Sequence, residues 1–163
     1  MPSAAISALE YGRYAPLDQA GEARFLPRFL LLLGELSACL GKAGEVGLGL
    51  ATIEETLARC EARDELWYLA ELLRIRGELI LLENAPDAGV AAEQHFRRAL
   101  DRARSQDALS WELRAATSLA RLWRDQHRIG EAHELLGPVY NRFTEGFATA
   151  DLQQAKNLLE QLA

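Results

Sequence analysis

Ala92-Glu-Gln-His-Phe96-Arg-Arg-Ala99 and Ala132-His-Glu-Leu-Leu136-Gly-Pro-Val139 place a small, a large and a small residue at the same spacing, 40 positions apart. The spacing is i, i+4, i+7, which falls on one face of a helix. Small side chains on either side of a large one make hollows around a knob, the relief a second helix needs in order to approach closely. Upstream, Leu33-Gly34, Arg76-Gly77 and Leu119-Ala120 each put a small residue midway along another apolar-periodic segment, and 34, 77 and 120 lie 43 residues apart. Val46, Leu50 and Ile53 supply the matching second-helix set for the first copy.

Three helical hairpins follow. The first pairs 22–41 with 45–61 across Gly41-Lys42-Ala43-Gly44, and the second pairs 65–83 with 89–105 across Asn84-Ala85-Pro86-Asp87. The third pairs 108–127 with 130–143 across His127-Arg128-Ile129-Gly130. One hairpin cannot bury both of its faces, so copies must stack, and about three are the minimum for stability. A small residue late in one helix, then small–large–small down the next, is the tetratricopeptide pattern, here longer than its usual repeat of about 34 residues. The expected fold is all-α: a right-handed α-solenoid of about three such hairpins with capping helices.

Residues 1–21 read as an N-terminal cap or remnant helix over 4–14 and a linker, broken at Tyr14-Ala15-Pro16-Leu17-Asp18. Residues 22–163 read as the repeat domain, closed by a capping helix at 149–162. Asp151 caps that helix with Gln154 as its reciprocal partner, and Leu152, Ala155, Leu158, Leu159 and Leu162 form one apolar stripe. Pro138 removes a helical amide and crowds the carbonyl of Glu134, which predicts a kink.

Composition narrows the function classes. With 49% hydrophobic and 26% charged residues, the 163-residue chain is globular rather than disordered. A net charge of −6 disfavours nucleic acid and anionic membrane as partners of the molecule as a whole. Met1-Pro2-Ser3-Ala4 lacks the basic and apolar regions of a signal peptide. The apolar stretch 25–40 is interrupted by Pro27, Arg28 and Glu35 and is too short to span a bilayer. A soluble, cytoplasmic protein with no membrane partner is expected. Cys39 and Cys60 sit among apolar residues, the usual place for a reduced, buried thiol.

The motifs that carry chemistry fall short. Gly34 and Gly41-Lys42 have six residues between the glycines where a phosphate loop needs four, and Ala43 stands where Ser or Thr would bind magnesium. Gly44, Gly47 and Gly49 come in the wrong order for a dinucleotide fingerprint and follow no strand. His95, His127 and His133 share no i, i+4 face, and no nucleophile elbow or Ser/His/Asp set occurs. The reading is a non-enzyme with no cofactor and no metal.

What remains is a polar stripe on the first helices, which line the concave groove in folds of this kind. Glu71, Arg74 and Glu78 fall opposite the packing line Ala70, Leu73, Gly77 and Ile80. Arg114, Thr117, Arg121 and Arg124 fall opposite Leu113, Ala116, Ala120 and Trp123, and Arg28, Leu31 and Glu35 are their equivalents in the first copy. Between 97 and 128 eight arginines face four acidic residues, so the floor grows more basic toward the C-terminus. The bland reading is a solvated face with helical pairs such as Arg74–Glu78. The functional one is a groove in which Arg74, Glu78, Arg114, Thr117, Arg121 and Arg124 meet a partner, the arginines gripping a carboxylate or acidic peptide through their planar forks. Arg76 stands where other copies carry Leu33 and Leu119, and either sends its head to solvent or forms a buried ion pair.

Glu112-Leu-Arg-Ala-Ala-Thr-Ser-Leu-Ala-Arg-Leu-Trp123, Gly130-Glu-Ala-His-Glu-Leu-Leu136, Pro138-Val-Tyr140, Phe143-Thr-Glu-Gly-Phe147 and Thr149-Ala-Asp-Leu152 resemble the C-terminal tetratricopeptide region of large bacterial signalling proteins. Glu71 to Leu82 is similar to the preceding repeat of that family. Its members carry a winged-helix DNA-binding domain or a class III nucleotide cyclase, a predicted ATPase, and then the repeats. None of the first three parts is present here, so the resemblance implies a regulatory or sensory interaction role rather than the family's chemistry. The expected function is a protein- or peptide-binding module of a bacterial signalling or transcriptional regulator. Two rivals stay open: a self-assembling, homodimeric structural module, and a nucleic-acid-associated regulator using the region from Arg97 to Arg128.

Overall fold

The computed structural model describes the backbone of residues 19–163 and the side chains from Phe29 onward, so the expected helix at 4–14, its break, and the Arg28 side chain lie outside the described residues. Among these, seven α-helices follow one another with no strand. They are α1 (Gln19–Lys42), α2 (Val46–Ala62), α3 (Leu69–Glu83, entered through a 3₁₀ turn at Leu66–Tyr68), α4 (Ala88–Ser105), α5 (Leu109–Asp125), α6 (Ile129–Tyr140) and α7 (Ala150–Leu162). The fold is all-α and repetitive. No helix is long and apolar enough to cross a membrane among the described residues.

Helices α1 to α5 stop the same way. A single residue in the left-handed region ends the run: Gly44 (φ 88°), Asp64 (55°), Asn84 (55°), Asp107 (51°) and His127 (62°), while Gly146 (77°) lies in the link beyond the end of α6. Four of these links add the amide bond that caps a helix C-terminus, from the residue after the left-handed one back to the last turn. Glu45 donates to Leu40 O at 2.9 Å, Glu65 to Cys60 O at 3.0 Å, Ala108 to Ala103 O at 3.0 Å and Arg128 to Trp123 O at 2.8 Å. Asn and Asp tolerate this conformation better than other non-glycine residues, which accounts for three of the six positions.

Consecutive helices pack against each other throughout the described residues, and a second set of contacts skips one helix: α1 touches α3, α3 touches α5 and α5 touches α7. No comparable contact joins α2 to α4 or α4 to α6. The first helices of the pairs therefore line one face side by side while the second helices splay apart on the other. One continuous buried cluster runs through all of them, from Leu30 to Leu162.

In the second and third pairs the small–large–small triplets lie at the centre of that interior. Ala92, Phe96 and Ala99 are each fully buried, Ala132 and Leu136 likewise, and Val139 is 3% exposed. The first copy has a different register from the one its sequence suggests. Val46 and Leu50 are only half-buried, and the buried triplet at the same i, i+4, i+7 spacing is Gly49, Ile53 and Thr56. Its small partner on α1 is Ser37 rather than Gly34: a Cβ on Gly49 would lie 3.0 Å from the Ser37 carbonyl oxygen. Gly34 serves another contact, where a Cβ would meet Leu72 and Tyr68 at 3.0 and 3.1 Å and hold α3 away from α1.

This register is testable within three residues of chain. Gly47 faces open space, whereas a Cβ on Gly49 presses on backbone. Gly47→Ala is expected to raise stability by up to about 1 kcal/mol through helix propensity. Gly49→Ala should lower it by about 1–3 kcal/mol through overpacking, both read from urea unfolding. With Val46, Leu50 and Ile53 as the packing set, the two substitutions would instead act alike.

The C-terminal helix is capped by Thr149, with no side-chain cap bond, and Asp151 lies one residue inside the helix start, where its charge still suits the positive end of the dipole. Cys39 is exposed rather than buried, while Cys60 is buried and donates to the Glu65 carbonyl at 2.9 Å. Burial, with Glu65 and Glu61 nearby, pushes the Cys60 thiol up to about 11, so it packs as an unreactive group. Pro138 is exposed, and α6 ends two residues beyond it, at Tyr140. Arg76 sends its head outward to pair with Glu54 of α2 at 2.8 Å. Trp123 is 6% exposed, in the core as expected, with Arg97 and Arg128 stacked on its ring at 5.1 and 4.6 Å.

Candidate functional site

A groove of about 490 Å³ crosses the face lined by the first helices of the pairs. Glu35, Ala38 and Lys42 come from α1, and Arg74, Glu78, Leu79 and Leu82 from α3. Arg114, Thr117, Ser118 and Arg121 come from α5, and Asp151 and Gln154 from α7. On α3 and α5 these positions recur at i, i+4 or i, i+7, so helical periodicity alone aims them at the same side. Stacking of α1, α3, α5 and α7 then brings residues more than a hundred positions apart to one surface.

Beneath the floor lies Glu71. Its side chain is 1% exposed and takes both arms of the Arg74 fork, Nε on Oε2 at 2.9 Å and Nη2 on Oε1 at 2.7 Å. Arg114 Nη2 reaches the same Oε1 at 2.7 Å from α5. A carboxylate excluded from water needs such pairing, and two guanidiniums supply it. Glu71 was expected among the solvated residues of α3; it is instead the buried anchor of the groove. For Arg74, burial opposes the charged form, but the hydrogen bonds and charge of Glu71 outweigh it and raise its pKa above the ordinary arginine value.

Above that anchor stands a second carboxylate. Ser118 Oγ donates to Glu78 Oε1 at 2.6 Å, Arg74 Nη1 to the same oxygen at 3.3 Å, and Arg121 Nη1 approaches it at 3.5 Å. The outer edge of Arg114 is 3.9 Å from Asp151. Thr117 is 7% exposed, and its hydroxyl donates back to the Leu113 carbonyl at 2.8 Å, so it contributes mainly its methyl group to the wall.

Arg74, Glu78, Arg114, Thr117 and Arg121 therefore come together, and Arg124 does not. Arg124 bonds to Asp125 at 2.8 Å and to Gln161 of α7 at 2.6 Å, beyond the groove. The basic region divides in a way its sequence does not suggest. Arg97 and Arg128 hold Glu93 on the opposite side of Trp123. Burial alone would raise the Glu93 carboxyl, but hydrogen bonds including those from Arg97 and Arg128 hold it below the usual carboxylate range. Arg104 and Arg142 clasp the buried Glu112. In the groove itself Lys42, Arg74, Arg114 and Arg121 are balanced by Glu35, Glu78 and Asp151 on the walls and Glu71 beneath, so the floor is not a one-sign basic surface.

Ser118, Lys42, Asp151 and Gln154 are groove residues that helical patterning of α3 and α5 alone misses. Ser118, one position from Thr117, lies at the edge of the α5 stripe, while the α7 pair becomes visible only when α7 packs on α5. Neither a protein-family model, nor a curated protein, nor a solved structure matches the chain.

Proposed function

We propose that the chain is a tetratricopeptide-type right-handed α-solenoid that works as a non-catalytic protein-interaction module. Its concave groove takes a protein or peptide partner bearing acidic side chains, within a cytoplasmic bacterial signalling or transcriptional regulator. The observation that carries the reading is the convergence of charged side chains from four alternate helices on one groove. Arg121, and one edge of Arg114, are held there only by long contacts. Arginines with open edges over a rigid, ion-paired floor suit capture of carboxylates, since little ordering is left to be done on binding.

Capture of partners from a bacterial cell extract tests it. Arg121→Glu is expected to lose a partner that wild type retains, while Arg124→Glu, which lies outside the groove, retains it. Equal recovery of every partner by wild type and both variants would remove the groove from the reading.

A further inference from the structure

Resting on the groove as the binding surface, we infer that Glu78 is a built-in carboxylate that occupies Arg121 in place of a partner's acidic side chain and is displaced when an acidic peptide segment docks. Glu71 and Glu78, both on α3, have opposite situations. Glu71 is 1% exposed and bonded through both carboxylate oxygens by Arg74 and Arg114, so it cannot leave without stranding two cations. Glu78, two turns on, is 32% exposed and is held through one oxygen, Oε1. Arg74 keeps its Glu71 bonds whether or not Glu78 stays. Arg121 is 41% exposed, and Glu78 at 3.5 Å is its one ion-pair partner among the described residues. Exchange of Glu78 for an incoming carboxylate therefore leaves no buried charge unpaired.

The surroundings select the occupant. Arg114 and Arg121 lie on one face of α5, about 10 Å apart along the axis at 1.5 Å per residue. Between Glu35 and Lys42 on the α1 side the floor has an apolar strip of Ala38, Leu79 and Leu82, the last 52% exposed. An acidic side chain over Arg121 with an apolar neighbour over Leu82 satisfies both halves. A nucleic acid strand carries a phosphate on every unit and has no apolar side chain to lay over Leu82, so it leaves the apolar half of the floor unfilled, whereas a peptide can alternate the two. Glu78 then sets a threshold. An occupant must outbid a tethered carboxylate, which weak or singly charged anions do not.

Fluorescence anisotropy on the full chain tests this with three labelled probes: the peptide Glu-Glu-Leu-Glu-Glu-Leu, its Gln-for-Glu counterpart, and a 20-nucleotide oligothymidylate. Wild type is expected to bind the acidic peptide in preference to the other two. Glu78→Gln, whose amide oxygen still accepts from Ser118, should tighten that binding about tenfold by freeing Arg121. Arg121→Gln should weaken it, and in the double variant the gain from Glu78→Gln should vanish. If circular dichroism shows Glu78→Gln misfolded, Glu78→Ala carries the same comparison. Binding no tighter than wild type in the Glu78 variant, with Arg121→Gln still weakening it, overturns the exchange while the groove stands. Acidic-peptide binding indifferent to every substitution, or absent, overturns both. A gain for the oligothymidylate instead of the peptide overturns the acidic-peptide occupant.

Discussion

Glu71→Gln is expected to destabilise the protein by about 3–5 kcal/mol, the range for removing one partner from a buried ion pair. The side chain is 1% exposed, and Arg74, itself 15% exposed, depends on it for two of its hydrogen bonds. A neutral amide can accept from one guanidinium arm but cannot offset the charge of Arg74 and Arg114 together. The loss should appear as a lowered urea midpoint with an unchanged slope, since the surface exposed on unfolding stays the same. Replacing Glu71 and Arg74 together by leucine should be less damaging than Glu71→Gln alone, because the more buried of its two cations is removed with it and Arg114, 34% exposed, can turn to solvent. The exposed pair Lys156–Glu160, at 3.8 Å, provides the contrast: Glu160→Gln should change stability by less than about 1 kcal/mol. A Glu71→Gln protein as stable as wild type would mean that water reaches this carboxylate, and the anchor would not exist.

Phe96→Ala is the second large effect, expected at about 3–5 kcal/mol for an aromatic ring removed from a filled interior. Phe96 is fully buried on α4, and its ring sits where a Cβ on Gly77 of α3 would be, 2.5 and 2.8 Å from the nearest ring carbons. The pair is therefore coupled. Gly77→Ala gains about 1 kcal/mol of helix propensity, yet it should be destabilising by about 1–3 kcal/mol because the ring has nowhere to go. Combining Gly77→Ala with Phe96→Leu should be less harmful than the two single losses added together, since the methyl group refills part of the space the ring vacates. Strict additivity, measured by urea unfolding of the four proteins, would show that these residues do not share a contact.

The helices and the pairing of neighbours were legible because apolar period, breakers and chain length all agree along the sequence. The register of the second and third pairs was legible for a sharper reason: the small residues of those packing lines, Ala70 and Gly77 on α3 and Ala116 and Ala120 on α5, are all buried, so any of them marks the same face. In α1 two small residues compete one turn apart, Gly34 and Ser37, and glycine was the more conspicuous. Ser37 is fully buried all the same, its hydroxyl donating to the Leu33 carbonyl at 2.8 Å, so a polar atom that would argue against a core position is satisfied within its own helix.

For the groove, helical spacing found Arg74, Glu78, Arg114, Thr117 and Arg121. It went one step too far at Arg124, which shares the face of Arg121 but whose guanidinium is taken by Asp125 and by Gln161 of α7, past the end of the groove. The burial of Glu71 could not be read at all. A carboxylate is almost never fully enclosed unless paired, and its partners come from one turn along α3 and from a helix 43 residues downstream.

The pattern of helix contacts has a mechanical consequence. No helix makes an extensive contact with one more than two places along the chain, so stiffness is passed on only from neighbour to neighbour. A disturbance at α7 reaches α1 only after crossing α5 and α3, the same helices whose arginines and carboxylates span the groove. Anything that wedges itself between those side chains acts as a brace across several joints at once, and so can change the spring of the molecule as a whole while touching only its inner face.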